Sequence, residues 1–151
     1  MATNYPLNKA PTDTLVISCS DHRFQYAVSQ FLNEELGLMG NYYSIVFPGS
    51  IQILTFEHAL PKFANSLLRL VRFLAKNGGV KRIVAIAHED CAWYKTFVPL
   101  YRIKREDVAS EQRKDLFAAR SILLAYRPQL TVDLFFAHIS PNDTVTFTRI
   151  E

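Results

Sequence analysis

At 151 residues, 49% of them apolar and 21% charged, the chain has the size and composition of one ordinary globular domain, which excludes a disordered or fibrous protein. Its formal charge of +3 is small and its basic residues are dispersed, so no nucleic-acid partner is expected. The one locally basic run, YRIKRE around Arg102 to Arg105, reads as solvated surface.

A polar leader with no apolar segment of signal-peptide length occupies residues 1–13, and one domain is expected over 14–151. No run reaches the roughly 20 apolar residues of a membrane-spanning helix, so a cytoplasmic location without a membrane partner is expected. TLVIS, Thr14 to Ser18, reads as a buried strand, and the apolar spacing of Phe24, Ala27, Val28, Phe31 and Leu32 predicts a helix stopped by Gly37. Tyr42 to Phe47 reads as a second strand running into Pro48-Gly49-Ser50, a turn whose glycine permits close backbone approach. Pro61 should divide the helical segment Ile51 to Lys76 near Leu60. Lys81 to Ala87 is the clearest buried strand. A helix from Asp107 to before Pro128, a strand over Thr131 to Ile139, a turn at SPND and a last edge strand follow.

This alternation predicts an α/β fold: a parallel sheet of order 2-1-3-4 flanked by helices on both faces, with a C-terminal antiparallel edge strand. Strands 1 and 3 are then neighbours where the order reverses, the place at which open α/β sheets bind ligands. Both cysteines of the chain follow directly on these strands, Cys19 in CSDHR and Cys91 in HEDC. Two thiolates and the imidazole of His88 are zinc ligands that leave a fourth tetrahedral position open. If CSDHR is extended, Cys19, Asp21 and Arg23 share one side, so that Asp21 can ligate the metal or accept a proton while Arg23 holds its carboxylate. A cysteine nucleophile activated by His88 and a dithiol switch between the two cysteines remain alternatives. Phosphatase-type chemistry would call for arginine where the chain has Gln25. By the same alternation His22 should point away from the ligands, with a proton-relay role open to it if exposed, and His58 and His138 read as structural or surface residues. Phe47, Phe56, Tyr42 and Tyr43 read as core or as the wall of an apolar pocket.

CSDHR and HEDC, each after a strand and in this order, resemble the Cys-x-Asp-x-Arg and His-x-x-Cys motifs of the β-class carbonic anhydrases, and the resemblance runs from Thr14 to Ile150. It implies a zinc(II) lyase, a carbonate dehydratase: zinc held by Cys19, His88 and Cys91, and reversible hydration of carbon dioxide to bicarbonate by zinc-bound hydroxide. It further implies catalytic roles for Asp21 and Arg23, a resting form in which Asp21 takes the fourth metal position, and a homodimer or higher homo-oligomer. Where the family usually has an Arg-Asn-Ala-Gly type of stretch, this chain has Val46-Phe47-Pro48-Gly49, and Ala92-Trp93 follow Cys91 in place of glycines. Phe47, Gly49 and Trp93 are therefore the candidate substrate-pocket residues. A noncatalytic zinc-binding protein and a hydrolase of carbon disulfide or carbonyl sulfide are the alternatives.

Overall fold

The computed structural model describes residues 3–101 and 108–151, with side chains described through residue 97 and again from 108; the basic run at Arg102 to Arg105 lies outside the described residues. Strands β1 (Thr14–Ser18), β2 (Tyr43–Val46), β3 (Arg82–His88), β4 (Thr131–Ile139) and β5 (Val145–Ile150) form one sheet of order β2-β1-β3-β4-β5. The first four strands are parallel and β5 is antiparallel to β4, as the alternation of elements predicts.

β1 is buried at every position and β3 at all but its first, because helices cover both faces. Successive side chains take opposite faces and feed two separate cores. Val16, Val84, Ile86, Phe135 and Ala137 meet the stripe Phe24, Val28, Phe31 and Leu32 of helix α1 (His22–Glu34). Leu15, Ile17, Ile83, Ala85, Leu134 and Phe136 meet the other face's cover. That cover is a 3₁₀ helix (Ser50–Phe56), α2 (Pro61–Asn77) and α4 (Val108–Tyr126).

Pro61 does divide the segment, and it sits at the start of α2, where its missing N–H costs nothing. The portion before it is 3₁₀ rather than α-helical. Its residues are buried on nearly every side, so no amphipathic stripe exists from which its pitch can be read. Helix α3 (Ala92–Tyr101) was not expected from the sequence, which is apolar there and contains Pro99.

Register delivers the site. Ser18 is paired with Ile86, so Cys19 leaves β1 beside the end of β3, where His88 is the last strand residue.

Candidate metal centre

Cys19, His88 and Cys91 are buried together, with one ligand atom from each lying within 4.8 Å of the others. The two Sγ atoms are 3.9 Å apart. Two thiolates bound tetrahedrally to one zinc at about 2.3 Å stand about 3.8 Å apart, so the spacing suits that ion. Glu89 is decisive for His88: its carbonyl oxygen lies 2.7 Å from Nδ1, which therefore carries the proton and donates it. Nε2 is left as a bare acceptor, buried and without a hydrogen-bond partner. A buried polar atom in that condition is costly unless a ligand meets it, and a metal ion is the ligand that neutral imidazole and thiolates share. The residues fit zinc.

One of the two sulfurs, that of Cys19, is prepared for negative charge. Cys19 is lowered to about 4, chiefly because Cys91 donates a hydrogen bond to its thiolate; burial opposes this, and His88 and the backbone N–H groups of Gly49 and Asp21 assist. Cys91 is correspondingly pushed up by its bond to Cys19, by burial and by the Cys19 charge, although the N–H groups of Tyr94 and Trp93 at the start of α3 favour its thiolate. Two sulfurs this close retain one proton between them unless a cation offsets the second charge.

Supporting groups fix the ligand frame. The ring of Phe24 lies against His88, with centroids 4.1 Å apart. Gln112, buried on α4, donates to the His88 carbonyl at 3.1 Å. Gln25 donates to the carbonyls of Cys19 (2.8 Å) and Asp21 (3.0 Å), clamping the turn between β1 and α1.

That turn corrects one expectation. CSDHR is not extended throughout: α1 begins at His22, and Asp21 is its N-cap, accepting from the Arg23 N–H at 3.1 Å. Arg23 lies in the first helical turn and reaches back, donating from Nη2 to Asp21 Oδ2 at 2.7 Å and from Nε to both carboxylate oxygens. Asp21 is thereby held down at about 2, first by the Arg23 side-chain hydrogen bond. It is paired with Arg23 rather than belonging to the three-residue ligand cluster. Asp90, between His88 and Cys91, also accepts from Arg23 and pairs with Lys95; sequence reasoning gave neither residue a role.

Cys19, Cys91, Asp21, Arg23, Asp90 and Lys95 line a cleft of about 600 Å³. His22, exposed at the start of α1, also lines the cleft and lies outside the three-residue cluster. Trp93 lines the cleft and lies on Gly49, where a Cβ would come within 2.5 Å of the indole. Gly49 has φ +79°, so the turn needs glycine for its backbone as well as for the approach. Phe47 stands in an adjoining apolar cavity of about 220 Å³, which shares Pro48 and Trp93 with the cleft. Phe56 is core, edge-on to Trp93. Tyr42 and Tyr43 pack against the two sheet cores instead. His58 is exposed beside Glu57, and His138 contacts Thr148 at 2.9 Å; both lie outside the ligand cluster.

Residues 10–138 match a family model described as "putative carbonic anhydrase". An uncharacterized protein of Rickettsia bellii is 26% identical over 130 residues, covering 85% of this chain and 77% of that protein. A carbonic anhydrase from Glaciozyma antarctica superposes with a TM-score of 0.61 at 16% identity, covering 96% of this chain and 86% of that one. One from Streptococcus mutans gives 0.60 at 12% identity, with 99% and 88% covered. A tetrameric β-carbonic anhydrase from Sordaria macrospora gives 0.53 at 14% identity, with 95% and 84% covered. The structural likenesses establish a common fold and the family model spans most of the chain: this protein belongs to the carbonic anhydrase family, as a divergent β-class member.

Proposed function

We propose that the protein binds zinc(II) through Cys19, His88 and Cys91 and catalyses the reversible hydration of carbon dioxide to bicarbonate. The observation that carries this reading is a buried three-donor cluster, Cys19, His88 and Cys91, whose two cysteines line one cleft with Asp21, itself gripped by Arg23. Zinc so bound supplies Lewis acidity that brings the ionisation of water toward neutral pH.

The chain's own groups supply orientation. Asp21, acceptor-only and with its side chain just 12% exposed, would accept a hydrogen bond from the attacking oxygen and so aim its lone pair at the carbon. Arg23 keeps Asp21 ionised and paired outside the ligand cluster; without that grip the carboxylate would be free to serve as a further ligand, which would be the resting form. Trp93 and Pro48 give the cleft an apolar side suited to a substrate without net charge. His22 at the exposed rim carries the released proton to solvent. The chain is expected to assemble as a homodimer or a higher homo-oligomer and to work in the cytoplasm.

Stopped-flow hydration assays on zinc-loaded protein test this. Wild type should turn over carbon dioxide, and Asp21→Asn should lose at least about tenfold in kcat while still binding one zinc per chain. Stoichiometric zinc with no turnover in wild type would leave a noncatalytic zinc protein. The adjoining apolar cavity favours a second substrate class, carbon disulfide or carbonyl sulfide. Sulfide release exceeding hydration under the same conditions would establish it as the principal activity.

A further inference from the structure

We infer that Asp90 is a positioning residue of the centre: it is the second anchor of Arg23, and through Arg23 it determines whether Asp21 stays off the metal. The inference rests on the metal-site reading above and adds a residue to it.

Arg23 does not merely pair with Asp21. Its Nη1 donates to Asp90 Oδ2 at 2.8 Å and its Nη2 donates to the Asp90 carbonyl at 3.2 Å, while Nε and Nη2 serve Asp21. A planar guanidinium bound along two edges has a fixed orientation; bound along one edge, it can swing about its flexible stem. Arg23 and Asp90 are 44% and 39% exposed in their side chains, so solvent offers both of them alternatives and the geometry of the double grip is what keeps Arg23 in place.

Asp90 is built for this contact. Its φ of +58° is left-handed, a region that aspartate and asparagine tolerate better than other side chains and that turns its carbonyl and carboxylate toward the same guanidinium. Lys95, on the first turns of α3, holds the other carboxylate oxygen. The result is a chain of alternating charge, Asp21–Arg23–Asp90–Lys95, that spans the cleft mouth from the β1 side to the β3 side. Because Asp90 lies between two ligands, His88 and Cys91, the grip on Arg23 is tied to the ligand segment itself.

Asp90→Asn and Asp90→Gly both suit the left-handed backbone and retain the carbonyl, so they remove the carboxylate without refolding the turn. The test uses the full chain loaded with cobalt(II), read by its visible spectrum, beside kcat and KM of the zinc form. Both variants should keep the thiolate-to-cobalt charge-transfer band and move the ligand-field bands in the same direction as Arg23→Ala, as Asp21 enters the metal sphere. Their kcat should fall about tenfold with KM changed less than twofold. Ligand-field bands that move in Arg23→Ala but stay at wild-type positions in both Asp90 variants overturn the inference and leave the metal site standing. Bands unmoved in all three variants overturn it as well, by cutting the link from Arg23 to Asp21. A wild-type protein without the thiolate band removes the metal-site reading, and this inference with it.

Discussion

Gly49 shows how much of the centre hangs on single atoms. It places a backbone N–H on Cys19 while the Trp93 ring stands where a Cβ would be, an approach that no side chain permits. Gly49→Ala combines a left-handed φ with a contact of 2.5 Å, and it should cost on the order of 2–3 kcal/mol of stability. Urea unfolding checks the cost, and zinc affinity should fall with it because the displaced turn carries the Cys19 contact. The sequence marks this glycine in its Pro-Gly-Ser turn and singles out Cys19, His88 and Cys91, because both cysteines of the chain fall at the ends of buried strands with a histidine at ligand spacing. It does not announce Asp90, Lys95 or Gln25. Their roles depend on α1 starting at His22 and on Asp90 turning left-handed, which are properties of local backbone rather than of residue type.

Among the elements, α1 is the sole helical cover described for its face of the sheet, and Phe31 is its central contact. Its ring stacks on Phe147 at 4.2 Å and meets Phe135 edge-on at 5.0 Å, joining α1 to β5 and β4 at once. Phe31→Ala removes both ring contacts and should cost about 3–5 kcal/mol, read as a lowered urea midpoint with unchanged slope. Strand order was legible because β-branched apolar runs alternating with helical stretches leave few right-handed arrangements. The 3₁₀ segment and α3 were not, for separate reasons: the first is buried at nearly every position and carries no periodicity, and Pro99 in the sequence argues against a helix at the second.

Across the molecule, the ligand cluster ties together the end of β1, the end of β3 and the start of α3, segments 69 or more residues apart for Cys19 and His88 by their numbering. A metal bound there favours the folded chain by mass action. Zinc at about a thousand times its dissociation constant should add about 4 kcal/mol, and a strong chelator should lower Tm by many degrees in wild type while leaving Cys91→Ser almost unaffected. Scanning calorimetry with and without chelator measures both. The long-range pairing was foreseeable only after the strand order placed β1 beside β3; no local feature of either motif specifies the other.

Trp93 is the chain's one tryptophan, and it stands at the boundary between the ligand cleft and the adjoining apolar cavity, against Gly49 on one side and Phe97 and Phe56 on others. The protein therefore carries a built-in optical reporter at its functional centre. Its intrinsic emission, free of contributions from any other indole, registers whatever enters either space, and it does so without a label.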